Sequence, residues 1–284
     1  MNPIAFHIAS GDAFFSGSAF WLLAIVGQVF DSLWIKRLRR LAAILGTLLI
    51  ALSSTPIPII TALLFLLVGV SSCLLCSPNT MRKRIAVTTW LMISLFIVGS
   101  ELRYRFPWSV QEVSGNRLVI IGDSITAGMN EPEDEKWPSL LAAQHKIEVT
   151  VLARPGATVE SIMKAVQPFE HQPSLVLLEI GGNDVLQNGS HAKFSRGLQS
   201  LLKEVSIGGH RLVMVELPLP PFYNRFAETQ RLLAKQFKVT LIPKRDFLAV
   251  LAAEGSTSDS LHLSKLGHQR MAKMIWKHIN PAFQ

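Results

Sequence analysis

The chain has 284 residues, of which 49% are hydrophobic and only 17% are charged, and its net charge is +8. This composition excludes an intrinsically disordered chain and is more apolar than that of most soluble proteins. The positive charge is concentrated in residues 1–108, which contain nine Lys and Arg residues but three acidic ones. Residues 109–284 contain no basic stripe with interleaved aromatic residues, so we expect no nucleic acid partner.

Four apolar runs in residues 1–100 predict an all-α transmembrane region of about four helices. The predicted spans are about 14–35, 41–53, 58–76 and 85–100. A Ser-Ser-Thr-Pro-Ile-Pro segment divides the second run from the third, and the short fourth run gives a helix of only about 24 Å. The alternatives are a buried helical hairpin of a soluble protein and a cleaved signal peptide. A signal peptide would begin with basic residues, which residues 1–11 lack.

Basic residues at 36–40 and 82–84 follow the first and third predicted spans. Since excess Lys and Arg stay in the cytoplasm, both clusters predict cytoplasmic loops. The amino terminus and all residues after the fourth span would then lie outside the cytoplasm. We therefore expect a multi-pass protein of the inner or plasma membrane, with its carboxyl-terminal part in the periplasm. Residues 101–116 show no strong period and are interpreted as a connector.

From residue 117 to the end, strand and helix patterns alternate, which predicts an α/β domain with a parallel sheet of about five strands and helices on both faces. The predicted strands are 118–121, 147–152, 175–180, 212–215 and 239–242, and the predicted helices are about 137–144, 158–167, 193–206, 225–236 and 265–279. Glu179 lies inside the third strand. If it is buried, its carboxyl group needs a partner such as an arginine or a backbone N–H.

The stretch Val-Ile-Ile-Gly-Asp-Ser-Ile-Thr at 119–126 reads as a buried parallel strand that ends in an acid and a serine. Parallel α/β sheets place their ligands at the carboxyl edge, which makes Ser124 a candidate nucleophile. The alternative is a serine that only caps the following helix.

Three further segments supply what a serine nucleophile requires. Asp259 precedes His262 by three residues, so its carboxylate can hold Nδ1 of the ring and leave Nε2 for Ser124. Asn183 follows the third strand and offers an amide donor, and Gly156 follows the second strand with an unobstructed N–H. The carboxyl ends of three strands and a late histidine therefore meet at one edge of the sheet.

These blocks resemble the SGNH (GDSL) hydrolase superfamily, whose Ser, Gly, Asn and His correspond to Ser124, Gly156, Asn183 and His262. Leu-Glu-Ile-Gly-Gly-Asn-Asp at 178–184 and Trp-Pro-Ser-Leu-Leu at 137–141 are most similar to the bacterial thioesterase/lysophospholipase-like esterases. The resemblance implies a flavodoxin-like three-layer sandwich over residues 117–284, no cofactor and no metal. It also implies a catalytic Ser124, Asp259 and His262, with an oxyanion hole formed by Ser124, Gly156 and Asn183.

The expected function is that of a membrane-anchored serine esterase that hydrolyses acyl or acetyl esters, including thioesters or lysophospholipids, through an acyl-enzyme. The substrate would be a small-molecule, lipid or glycan ester. One alternative is an O-acetyl esterase or acyltransferase acting on cell-wall or exported polysaccharide. A second is an inactive membrane binding or assembly module. The substrate-binding residues and the oligomeric state are left open.

Overall fold

The structure, a computed structural model, describes residues 1–30, 32–74, 80–106, 109–129, 131–167, 169, 172–259 and 261–284. The chain divides into two compact units, a helical unit (Asn2–Arg105 with Pro220–Asn224) and an α/β unit (Phe106–Leu219 with Arg225–Gln284). The end of the third predicted span (75–76) and two residues of the predicted connector (107–108) lie outside the described residues.

The helical unit is built from α-helices whose bounds differ from the predicted spans. They are α1 (Pro3–Ala9), α2 (Asp12–Val26), α3 (Leu33–Leu52), α4 (Ile59–Leu74) and α5 (Thr80–Arg105). The predicted span 14–35 is wrong as a single helix, because α2 gives way to a 3₁₀ turn at Gly27 and Phe30 is extended. The run as a whole is apolar, so hydropathy conceals this break.

The ends of two other predicted segments also need correction. The basic residues at 36–40 and at 82–84, both predicted in loops, lie in the first turns of α3 and α5. The apolar run 85–100 is the middle of α5, which has 26 residues and is therefore about 39 Å long. Hydropathy marks only the apolar part of a helix, whereas backbone hydrogen bonding continues through the charged residues on either side.

One helix among the described residues is long and apolar enough to cross a bilayer by itself, namely α5 over Arg84–Arg105. The number becomes two if α1 and α2, which meet at an angle of 88°, are counted as one broken span. The apolar part of α4, Ile59–Ser71, is shorter. The prediction of four spans therefore goes beyond what helix length and composition support.

Contacts inside the helical unit fix the direction of its helices. The Ser54 N–H, just after α3, donates to the Ile8 carbonyl over 3.1 Å. Arg105, the last residue of α5, forms an ion pair with Asp12 at the start of α2. The carboxyl ends of α3 and α5 thus lie at one end of the unit. Their amino-terminal ends, which carry the basic residues, lie at the other.

Aromatic rings and close helix contacts form the core of the helical unit. Trp90 of α5 lies 6.5 Å from Trp21 of α2 and 5.3 Å from Phe65 of α4, measured between ring centroids. Helices α2 and α3 approach so closely that a Cβ on Gly17 would lie 2.7 Å from the Gly46 carbonyl oxygen. These contacts make a packed unit.

The α/β unit contains a five-stranded parallel sheet in the order β2-β1-β3-β4-β5, which confirms the predicted sheet. Its strands are β1 (Arg117–Gly122), β2 (Glu148–Ala153), β3 (Leu175–Glu179), β4 (Arg211–Val215) and β5 (Thr240–Ile242). Its α-helices are α6 (Ser124–Ala127), α7 (Trp137–His145), α8 (Met163–Val166), α9 (Gly182–Leu186), α10 (His191–Val205), α11 (Asn224–Gln236), α12 (Lys244–Ala252) and α13 (Lys265–Ile279).

Both faces of the sheet are covered. Leu118, Ile120 and Leu177 share one core cluster with side chains of α7, α12 and α13. Every residue of β3 is buried, so its opposite face is also covered. Helix α10 has an apolar stripe at helical spacing that suits this second face, made of Phe194, Leu198, Leu201, Leu202 and Val205.

The predicted helix at 158–167 is largely wrong, since only Met163–Val166 is helical. Thr158 and Ser161 bond reciprocally through side-chain oxygens and backbone N–H groups, at 2.9 and 3.2 Å. Such local bonds compete with the helix for backbone donors. Helix α12 was not predicted.

Candidate active site

Ser124 lies immediately beyond the carboxyl end of β1, at the start of the short helix α6. Asp123 caps this turn, because its Oδ1 accepts the Ile125 N–H over 3.0 Å. The Ser124 side chain is largely buried. Its hydroxyl and its N–H donate to no other group in the described part of the chain, so both are available to a substrate.

His262 and Asp259 form the predicted pair. His262 Nδ1 lies 2.6 Å from one carboxylate oxygen of Asp259, and the His262 N–H donates to the other over 2.8 Å. The His262 side-chain hydrogen bond, aided by backbone N–H groups, holds the pKa of Asp259 at about 2. An ionised carboxylate can only accept, so the ring proton is assigned to Nδ1 and Nε2 is free to take a proton.

His262 also influences Asp123, the residue before Ser124. Burial raises the pKa of Asp123 to about 6, and the Ile125 hydrogen bond and the nearby His262 partly oppose that rise. His262 is therefore close enough to the residue before Ser124 to influence its ionisation. Within the described residues no hydrogen bond joins Ser124 to His262, and such bonds often tighten only when substrate binds.

Asn183 and Gly156, the other predicted donors, lie at the same edge. The Asn183 amide donates to Asp123 Oδ2 over 3.2 Å and to the Ala157 carbonyl over 3.1 Å. Gly156 has a φ of +71°, and its N–H has no acceptor among the described residues. A side chain is strained at this φ, which accounts for glycine there. Because the Asn183 amide already donates both of these hydrogen bonds, it must share one of them with a substrate oxygen in order to stabilise that oxygen.

Sequence reasoning gave no role to two residues that hold the Gly156 loop, Asp184 in α9 and Gln187 immediately after it. Asp184 Oδ2 accepts the Val159 N–H over 3.0 Å, and the Gln187 amide donates to the Gly156 carbonyl over 3.2 Å. Burial raises the pKa of Asp184, although the Val159 N–H opposes this. The Asn-Asp pair at 183–184 was a visible signal for the first contact, but Gln187 offered none.

The raised pKa of Asp123 has a consequence for stability. Below an ordinary pKa of 3.8 the group is protonated in both the folded and the unfolded chain, and above about 6 it is ionised in both. Between these values the folded protein retains a proton that the unfolded chain has released. The contribution of Asp123 to the free energy of unfolding therefore falls as the pH rises through this window.

Asp123→Asn removes this penalty. We expect the stability of the variant, relative to the wild type, to rise by roughly 2 kcal/mol from about pH 4.5 to about pH 7.5. Tryptophan fluorescence during thermal unfolding of the full chain in detergent measures it. Asp246→Asn is the control, since the His278 hydrogen bond lowers the pKa of Asp246 and no rise is expected. If the difference in stability between Asp123→Asn and the wild type does not change with pH, burial does not raise the pKa of Asp123.

No group of three or more His, Cys, Asp or Glu side chains able to hold a metal ion occurs in the part of the chain that the structure describes.

A parallel α/β sheet with a serine beyond β1 and a His–Asp pair that influences the serine turn is the arrangement expected of a serine hydrolase. Residues 120–270, more than half of the chain, match the GDSL-like Lipase/Acylhydrolase family, and the chain belongs to that family. The ester-hydrolase class follows from this membership and from relatives named as esterases.

Two curated relatives and one solved structure illustrate the likeness. The chain is 27% identical over 204 residues to thioesterase 1/protease 1/lysophospholipase L1 of Escherichia coli K12, covering 69% of this chain and 94% of the relative. It is 28% identical over 169 residues to an arylesterase of Vibrio mimicus, covering 55% and 84%. The crystal structure of TesA aligns with a TM-score of 0.51 at 25% identity, covering 58% of this chain and 99% of TesA.

Proposed function

We propose that this protein is a membrane-anchored serine esterase that hydrolyses acyl or acetyl esters outside the cytoplasm. Ser124 is the nucleophile, His262 the general base and acid, and Asp259 the group that orients the histidine. The observation that carries this proposal is the His262–Asp259 pair at 2.6 Å, at the sheet edge where Ser124 and two further donors also lie.

The first half of the reaction forms an acyl-enzyme. Ser124 Oγ attacks the ester carbonyl carbon while His262 Nε2 takes the hydroxyl proton, and Asp259 stabilises the resulting imidazolium. The negative charge on the carbonyl oxygen is met by the N–H groups of Ser124 and Gly156 and by the Asn183 amide. The intermediate then collapses, the bond to the alcohol oxygen breaks, and His262 returns the proton to the leaving alcohol.

The second half repeats these steps with water. His262 Nε2 takes a proton from water, whose oxygen attacks the acyl carbon, and the same donors meet the second oxyanion. Breakage of the bond to Ser124 Oγ releases the acid, and His262 returns the proton to the serine. Within this scheme no group other than substrate and water is consumed.

Exposed apolar side chains of the helical unit support membrane anchoring. Leu33 and Trp34 of α3, Ile59 of α4 and Phe96 of α5 are each more than 70% exposed. Large apolar side chains exposed to this extent are unfavourable in water and mark a protein or membrane contact. Together with the apolar length of α5, it favours a bilayer as the environment.

The end-to-end arrangement of the helical unit supports the proposed sidedness. Both basic segments lie at the amino-terminal ends of α3 and α5, opposite the end that contains the Arg105–Asp12 ion pair. If the basic end stays in the cytoplasm, the chain leaves α5 on the outer side of the membrane and enters the connector there.

The names of the relatives bear on the substrate. They include a thioesterase, a lysophospholipase and an arylesterase, all of which cleave a bond at an acyl carbon. We therefore propose acyl esters as the substrate class. Because the reacting groups are all present, hydrolysis is favoured over an inactive membrane module.

A membrane-impermeant fluorophosphonate tests activity and sidedness together. We expect it to label the full chain in intact spheroplasts of a bacterial host, to the same extent as a permeant fluorophosphonate, because Ser124 would be reactive and outside. Ser124→Ala should abolish labelling by both probes, and the labelled band should stay with membranes after an alkaline carbonate wash.

Each arm can fail separately. Labelling that persists in Ser124→Ala would refute the nucleophile, and labelling by the permeant probe alone would place the site in the cytoplasm. Release of the labelled protein by carbonate would refute the membrane anchor without affecting the esterase assignment.

A further inference from the structure

Glu179, the last residue of β3, is a buried acid that the proposed mechanism does not use. It is paired in register with Gly122 of β1, immediately before the Asp-Ser turn, and its side chain is 2% exposed. A buried carboxyl group needs a hydrogen-bonding partner, and in the structure this partner comes from the turn that contains Ser124. Thr126 Oγ1 donates to Glu179 Oε2 over 2.8 Å, and the nearby backbone N–H groups of Asp123 and Thr126 lower the pKa of this carboxyl group.

These bonds enclose the nucleophile. The Ile125 N–H donates to the Asp123 carboxylate over 3.0 Å, and the backbone N–H groups of Asp123 and Thr126 lie close enough to Glu179 to lower its pKa. In the described part of the chain the Ser124 N–H donates to no protein group.

The fit around this turn is close. A Cβ on Gly122 would lie 2.2 Å from Thr126 Oγ1, so the threonine hydroxyl is pressed between the end of β1 and the glutamate. The turn therefore has little freedom to rotate. A turn held in this way keeps the Ser124 N–H and hydroxyl in a fixed relation to each other.

We infer that Glu179 is a positioning residue that clamps the turn carrying Ser124, so that the Ser124 N–H stays aimed at the developing oxyanion. The inference rests on the proposed function, since it gives Ser124 the role of nucleophile. Preorganised donors lower the barrier because they need no rearrangement when charge develops. Glu179 would act through the turn, without touching the substrate.

The ionisation of Glu179 suits this role. Burial, followed by the nearby Asp123 charge, raises its pKa well above the ordinary value, although the Thr126 hydroxyl and the two backbone N–H groups oppose this. The raised pKa shifts the carboxyl group toward its protonated, neutral form. Glutamine has the same shape, retains an accepting oxygen and is neutral, so it should replace Glu179 better than alanine does.

The test compares kcat and KM for a soluble acyl ester in full-length variants, with kcat expressed per site titrated to completion by fluorophosphonate. Glu179→Ala is expected to lower kcat by roughly 10²-fold with KM within about 3-fold, because the loss falls on the transition state. Glu179→Gln should retain kcat within about 10-fold of the wild type. Thr126→Val should lower kcat about 3- to 10-fold, and Thr126→Ser, which keeps the hydroxyl, should restore it.

A double variant distinguishes positioning from a merely structural role. Thr126→Val should add little to Glu179→Ala, since both act through the same turn. If Glu179→Ala does not fold, the Thr126→Val and Thr126→Ser pair decides the question alone. Unchanged kcat per titrated site in Glu179→Ala or Thr126→Val, even with a lower melting temperature, would overturn the inference. If wild type itself is not labelled, the failure belongs to the proposed function.

Discussion

Replacing Ser124 or His262 with alanine is expected to lower kcat for an acyl ester by roughly 10⁴-fold or more. The two groups act as one unit, because the hydroxyl is a weak nucleophile until the imidazole takes its proton. The Ser124→Ala/His262→Ala double variant should therefore be no slower than either single variant. Asp259→Ala should cost less than either, since it removes only the group that orients and stabilises His262. Initial rates with purified full-length protein in detergent measure all four.

The chain offers matched controls for this experiment. Ser174 Oγ lies 2.8 Å from His210 Nδ1, a hydrogen-bonded Ser–His pair that is buried just before β3, at the opposite edge of the sheet from Ser124. His278 Nε2 lies 2.8 Å from Asp246, a second His–Asp pair on α13 and α12. We expect Ser174→Ala and His278→Ala to retain kcat within a few-fold wherever they fold. Full activity in Ser124→Ala would refute the mechanism.

Asn183→Ala is expected to lower kcat by roughly 10²- to 10³-fold, with a much smaller change in KM. The amide matters most when charge develops on the substrate oxygen, so the loss should appear in the chemical step. The same amide also donates to Asp123 and to the Ala157 carbonyl. Its removal could therefore disturb the Gly156 loop as well as the oxyanion, and kcat and KM must be measured separately.

A collapsed Gly156 loop would also slow the reaction, and a comparison of variants excludes this explanation. Asn280→Ala removes an amide at the end of α13 and should change neither constant. If Asn183→Ala raises KM alone, Asn183 is a ground-state binding residue. If Asn183→Ala lowers the melting temperature strongly as well as kcat, the amide serves to hold the Gly156 loop and does not serve the oxyanion.

Much of the α/β unit could be predicted because its signals are local. β1 and β3 are short apolar runs, and Ser190 and Ser264 cap α10 and α13 by accepting backbone N–H groups three residues later. The His262–Asp259 pair is local as well. A carboxylate three residues before an imidazole can meet it across one turn, so the spacing together with the other motif blocks predicts the contact.

Spacing and hydropathy describe residues that are neighbours along the chain. They therefore did not predict where the helices of residues 1–105 end, or which side chains contact one another around Ser124. The break at Gly27 lies inside a continuous apolar run, where hydropathy does not change. The bond between Thr126 and Glu179 joins residues 53 apart, and the bond between Asn183 and Asp123 joins residues 60 apart. Parallel pairing of β1 with β3 brings these side chains together, because it sets Gly122 beside Glu179. Only that register determines which buried polar groups meet, and therefore which donors remain for a substrate.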